Sequence, residues 1–323
     1  MKTKQLMILA AVAVSLAACN NEDSSQQENQ NGAIILRTHI GTRAAIDAQD
    51  VQIATDGKVG VFINEQTLPG ATGVATVYEP LVYTADGTGI LALAKDLPQP
   101  FFPQSGNGVN IIAYCPFSVT WTDKAIAQDF TVEADQSTDA KMISSDLLYG
   151  EPTIGNPVVR VKTAVDLTFK HTLSKVIINL TSGKGAPDLN GAKVTILGTE
   201  NTTGFMPATG ALSPAHGGAN VKPILSGVAP DGIVPLTSYS CAAVIVPQRL
   251  SAAGLLDNKF IQVKLKAGGT VFYKLADDAI FESGKKNIYD LIVDLTEITL
   301  GKSQIIDWTL AAGGNVSGGA GMD

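Results

Sequence analysis

An apolar residue at every second position is the commonest pattern in this chain, and it predicts strands over most of its length. The clearest case is Val165-Asp166-Leu167-Thr168-Phe169-Lys170-His171, whose odd positions form one face while its even positions are polar. After Leu173-Ser174 the alternation resumes one residue out of phase at Val176, Ile178 and Leu180, which predicts a bulge or a bend where the strand changes partner. Further strands are expected at Lys58 to Asn64, Val77 to Val82, Gly108 to Pro116, Lys193 to Leu197, Cys241 to Pro247, Phe260 to Lys266, Thr270 to Leu275 and Tyr289 to Leu295. Gly- and Pro-rich turns separate the early ones, among them Ala85-Asp86-Gly87-Thr88-Gly89. Helical signal is scarce. Ile90 to Leu97 is expected to form a turn or two of helix before Pro98 and Pro100 close it, and Asp123 to Gly150 reads as a long connection into a short strand.

Many short strands and few helices predict an all-β protein built of antiparallel sandwiches. A chain of 323 residues accommodates two. Pro152 and Pro157 mark a boundary near Asn156 to Thr163, giving an N-terminal sandwich over residues 33–160 and a C-terminal one over 161–323.

The stretch Ala33 to Ala45 joins the folding body to what precedes it. Ile34, Leu36 and Ile40, with Thr38 between them, share one face of an expected strand, which Gly41-Thr42 breaks in front of Arg43-Ala44. Upstream, Lys2 and Lys4 precede an apolar run, Leu6 to Leu16, too short to span a bilayer, and small residues lead to Cys19. Residues 1–18 therefore read as a secretory signal peptide, and Leu16-Ala17-Ala18-Cys19 resembles the bacterial lipobox, in which the cysteine is lipidated and tethers the protein to a membrane. Residues 19–32 are polar and acidic and lack the side chains to pack, as a flexible tether does.

Composition narrows the function by exclusion. The formal net charge is -7 and no Lys/Arg run is concentrated, which argues against a nucleic-acid partner. No HExxH, GxSxG or P-loop occurs, and Gly87-Thr88-Gly89-Ile90-Leu91-Ala92 reads as a hairpin turn rather than a dinucleotide loop. His171 is expected to be a hydrogen-bonded core residue rather than a ligand, and Cys115 and Cys241 to be buried thiols, although an oxidising compartment also allows a disulfide. The expectation is a protein that is not an enzyme and needs no metal or cofactor.

Several short motifs in order resemble the fimbrillins, the subunits of the type V pili of the Bacteroidetes. They are the lipobox at Cys19, Thr42-Arg43-Ala44, Val165 to Val176, Val246-Pro247-Gln248, Phe281-Glu282-Ser283-Gly284-Lys285 and Ile305-Ile306-Asp307-Trp308. The acidic tether is similar to the surface-export signal of lipoproteins in that group; a plain solvating tether is the other reading. The resemblance implies two tandem transthyretin-like sandwiches and a lipoprotein delivered to the outer membrane. It further implies cleavage by a trypsin-like, arginine-specific protease and a self-assembling shaft. The first strand, 33–43, would leave and a strand from another copy or a paralogous subunit would fill its groove.

Two arginines are candidates for the cut. Arg37 sits inside the expected strand and Arg43 in an exposed turn, so Arg43-Ala44 is the preferred site. Gln304 to Leu310 alternates, with Ile306, Trp308 and Leu310 on one face, and is the candidate donor; it reads equally well as the last strand of the C-terminal sandwich. The Gly-rich tail after it leaves open a tip or anchor position. The pilin reading includes adhesion to a host or microbial surface receptor; outside it stands a lipid-anchored module that binds glycans or proteins and does not polymerise.

Overall fold

The computed structural model describes residues 31–38, 53–66, 77–226 and 236–308. The first half of the chain forms β1 (Leu36–Thr38), β2 (Lys58–Glu65), β3 (Val77–Ala85), β4 (Leu91–Leu93), β5 (Val109–Cys115), β6 (Gln128–Thr131), the short helix α1 (Asp139–Ser144), β7 (Leu148–Pro152) and β8 (Val165–His171). The second half forms β9 (Ser174–Ser182), β10 (Lys193–Thr199), β11 (Thr202–Met206), β12 (Ala211–Leu212), β13 (Ala219–Val221), β14 (Ile224–Ser226) and β15 (Ser238–Ile245). It continues with β16 (Gln248–Leu250), β17 (Lys259–Lys264), β18 (Thr270–Lys274), β19 (Ala279–Phe281), β20 (Lys285–Val293) and β21 (Ile298–Asp307). The protein is all-β, as its alternation predicts.

A seven-stranded sheet runs in the order β1-β8-β7-β5-β2-β3-β4. Its inner face buries Val59, Val61 and Ile63 of β2, Ile111 and Ala113 of β5, and Val165, Leu167 and Phe169 of β8 in one core. A five-stranded sheet, β14-β15-β9-β20-β21, packs on a four-stranded one, β13-β10-β17-β18, around a second core. The phase slip after Leu173 is where the chain leaves the first sheet for the second: β8 pairs with β1 and β7, and β9 pairs with β15 and β20. The strand at 165–171 therefore packs with the N-terminal core, and the passage between the cores falls at Thr172-Leu173 rather than near 156–163.

The two cores are joined by a third apolar cluster. Phe62, Tyr114, Trp121 and Phe130 of the first half meet Phe205, Val244, Val246 and Trp308 of the second. Tyr114 lies at the middle, its ring 5.1 Å from Trp121 and 6.2 Å from Phe205. Because β2 and β5 face a core on each side, they read as nearly continuous apolar runs. Gly60 on β2 makes room for this arrangement: a Cβ there would lie 2.3 Å from the Tyr114 ring. A small sheet, β12-β11-β6, spans the same junction, since β6 comes from the first half and β11 from the second.

The segment expected to start a helix at Ile90 is instead β4, paired with β3 across the Asp86 turn. The Asp86 carboxylate accepts from the N–H groups of Thr88 and Ile90, 2.7 and 3.0 Å away, and fixes that hairpin. Likewise 123–150 carries β6 and α1, where only a connection was legible. Thr138 caps α1 by accepting from the Lys141 N–H.

Candidate functional site

The first strand is the element that closes the first core. Ile34, Leu36 and Thr38 point inward, with Ile34 and Leu36 each 1% exposed, while Ile35 and Arg37 face outward. This is the period of two expected from the sequence. On one flank β1 runs parallel to β8, with Leu36 opposite Val165 and Arg37 opposite Asp166, and the Val165 N–H donates to Ile35 O over 2.8 Å. On the other flank it meets the chain around β4. Ile34 N–H donates to Pro100 O and Thr38 N–H to Gly89 O, both over 2.7 Å, and the Phe102 N–H donates to Gly32 O over 2.8 Å. The curled sheet thus brings two edges to β1, and β1 fills the gap between them.

The energetics of that gap follow from what β1 covers. Ile34 and Leu36 pack in the cluster that contains Ile53, Leu91, Phe102, Val165, Leu167 and Phe169. Burying two such side chains stabilises the docked strand by about 1.5–3 kcal/mol each. Without this segment the N–H groups of Val165 and Phe102 and the carbonyl of Gly89 lose their partners, and the Pro100 carbonyl keeps only the Gln99 side-chain amide. A groove with an apolar floor and unpaired backbone on both rims is what a strand of matching alternation recognises.

Arg37 anchors the outer face of β1. Its guanidinium donates from Nε and Nη2 to the two carboxylate oxygens of Asp166, the second contact spanning 3.0 Å. That hydrogen bonding, opposed in part by desolvation, holds the arginine pKa above its usual value. Both side chains are partly exposed, at 44% and 31%, so the pair is screened by solvent. Replacing Asp166 by asparagine is expected to weaken β1 docking by about 0.5–1 kcal/mol, less in high salt. Amide hydrogen exchange at residues 34–38 reads this as a rise of about two- to five-fold.

The C-terminal candidate strand lies elsewhere. β21 is the edge of the five-stranded sheet, antiparallel to β20, with Lys286 opposite Ile306 and Lys285 opposite Asp307. It is therefore the last strand of the second core in this state. Ile306 is 37% exposed whereas Trp308 is 2% exposed, so these two do not share one buried face. The strand ends at Asp307 and Trp308 turns in toward the junction between the cores. Ile40, Arg43, Ala44, Leu310 and Cys19 lie outside the described residues.

The remaining candidate chemistry is structural. His171 is buried with its Nδ1 2.8 Å from the Asp146 carboxylate. Cys115 and Cys241 are free and buried; burial, with Asp146 nearby as a smaller cause, pushes the Cys115 thiol up to about 12, and burial raises Cys241 as well. Among the described residues no three His, Cys, Asp or Glu side chains gather to hold a metal ion. No helix among them is long and apolar enough to cross a membrane.

A profile of the fimbrillin-like family matches residues 42–308, over four-fifths of the chain. The chain belongs to the fimbrillin-like family. β1 precedes the first residue of that match, and the rest of the described fold falls within it. No curated protein sequence matches the chain. Among solved structures, this fimbrillin-like protein is similar to a candidate cell adhesion protein from Bacteroides ovatus ATCC 8483. Identity is 19%, the TM-score is 0.64, and the match covers 87% of this chain and 99% of that one. A candidate cell adhesion protein from Bacteroides uniformis ATCC 8492 is similar at 20% identity and a TM-score of 0.60, over 86% of this chain and 100% of that one. At those identities the likeness is one of fold.

Proposed function

We propose that this fimbrillin-like protein is a structural subunit of a surface fimbria, and that β1 occupies the site at which assembly occurs. The observation that carries the reading is β1 with the extended residues before it: a single short segment, flanked by backbone partners on both sides, whose Ile34 and Leu36 side chains complete the first core. In this reading the precursor is exported, lipidated at Cys19 and carried to the outer membrane. An arginine-specific, trypsin-like protease then cuts after Arg43, β1 departs, and a strand from another subunit takes its place. Such a contact joins unlike surfaces head to tail, so it propagates rather than closing. The candidate donor is the C-terminal segment that begins in β21; the Gly-rich residues beyond it favour a tip or anchor position as the second reading.

Electron microscopy of the purified precursor before and after arginine-specific cleavage tests this directly. Filaments are expected only after the cut, with Ala44 as the new N-terminus by mass spectrometry. Filaments from uncut precursor, or a cleaved protein with a vacant groove that stays monomeric in the presence of other subunits, contradict the reading.

A further inference from the structure

β21 is held unequally along its length. Nine of its ten residues, 299 to 307, are exposed, and among the described residues its only ladder is with β20. Of its side chains only that of Ile298 enters the second core, so that core is nearly complete without the strand. A ladder of this kind, exposed on the edge and with little apolar surface behind it, opens at low free energy.

The next residue is the opposite case. Trp308 is 2% exposed and stacks on His171, with ring centroids 3.8 Å apart and planes 11° from parallel. The Lys175 ammonium lies 5.5 Å from the indole centroid, and the backbone N–H of Trp308 donates to Gly284 O over 2.7 Å. The His171 ring is fixed in turn by its 2.8 Å hydrogen bond to Asp146, with both side chains essentially buried. Lys175, on β9, is itself fully buried. The walls of the slot therefore come from β8, β9, the segment before β7 and the turn before β20, and none of them is part of β21.

We propose that Trp308 is a latch that retains β21 on its own sheet, and that His171, held by Asp146, is the positioning residue that shapes the slot for an indole. With the indole seated, the ten-residue strand is closed; with the indole withdrawn, β21 opens as a unit while the sandwich behind it stays folded. The latch deepens the donor-strand reading and rests on it for one consequence only: a subunit would keep its C-terminal segment stored until assembly.

Amide hydrogen exchange on the full-length, uncut precursor tests the latch without assembly. Trp308→Ala is expected to speed exchange across 298–307 by about 100-fold, the scale of losing a buried Trp, with β9, β15 and β17 still protected. Trp308→Phe, which keeps an aromatic stack, is expected to fall between, and His171→Ala to act in the same direction as Trp308→Ala. Unchanged exchange at 298–307 in Trp308→Ala overturns the proposal. So does an increase spread equally over β9, β15 and β17, or its equivalent in Trp308→Phe should the alanine variant fail to fold, because Trp308 is then one core residue among others. Deleting 304–323 separates the two readings. Polymerisation of that truncated chain after cleavage removes the donor assignment and leaves the exchange result standing, whereas unchanged exchange in Trp308→Ala removes the latch alone.

Discussion

A precursor carrying Leu36→Asp is expected to lose β1 from its groove while the rest of the first sheet stays folded. Leu36 is 1% exposed among Val165, Leu167 and other apolar side chains, with no cation described in that core. An ionised carboxylate there carries a penalty of several kcal/mol. In this variant, releasing the strand forfeits only the burial of Ile34 and a few edge hydrogen bonds, at about 1 kcal/mol each for the latter. The strand therefore leaves, at an apparent destabilisation of docking of at least about 3 kcal/mol. The ladders among β2, β3, β5, β7 and β8 remain intact. Arg37 serves as the reporter. Docked, it lies in a strand bonded on both flanks, so an arginine-specific protease cannot draw its backbone into the active site; released, it becomes a substrate. In an Arg43→Ala background, which leaves Arg37 as the nearby site, the variant should give Thr38 as an N-terminus, detected by mass spectrometry, where the protein with Leu36 intact does not. Cleavage at Arg37 no faster than in the parent would count against the groove.

The second large effect is all or none. Arg43→Ala is expected to abolish both the Ala44 N-terminus and the SDS-resistant ladder that follows arginine-specific cleavage, because the other nearby arginine, Arg37, is protected by its pairing and its bidentate contact with Asp166. An undiminished ladder from Arg43→Ala would show that processing occurs elsewhere.

How much of this was legible in the sequence depends on how far each signal reaches. The alternation of Ile34 and Leu36, and of Val165 to Phe169, is local and reports burial on one face, so strand and inward face were both readable. The phase slip at Leu173-Ser174 was readable too, and its cause is a change of sheet. β4 was not: Leu91-Ala92-Leu93 is rich in good helix formers, and pairing with β3 through the Asp86 turn overrides that preference. The division near 156–163 followed the prolines, whereas the strand beyond them is bonded to β1 and β7. The two flanks of the β1 groove come from Gly89 to Phe102 and from Val165 to Leu167, and no local pattern announces that they meet. Trp308 illustrates the same limit. Its position in an alternating run suggested a face shared with Ile306, but its partner His171 lies far upstream, and the end of β21 at Asp307 frees it to turn inward.

In the proposed reading the groove also accounts for a short strand serving as a plug. β1 spans Leu36–Thr38, yet its contacts extend from Gly32 to Thr38 because the chain before it continues in extended pairing with Pro100 to Phe102. Each hydrogen bond is modest on its own, and their removal together with Ile34 and Leu36 uncovers floor and rims at once. A replacement strand is favoured when it restores both.

The central claim is that the β1 groove must be vacated for subunits to join, and locking β1 in place tests it most directly. Arg37 and Asp166 stand opposite each other in register with their side chains in contact, so Arg37→Cys combined with Asp166→Cys places two thiols across the β1–β8 pair. After arginine-specific cleavage, electron microscopy should show no filaments while that disulfide is intact and filaments once it is reduced. Filaments from the cleaved protein with β1 still covalently held in its groove would contradict the account.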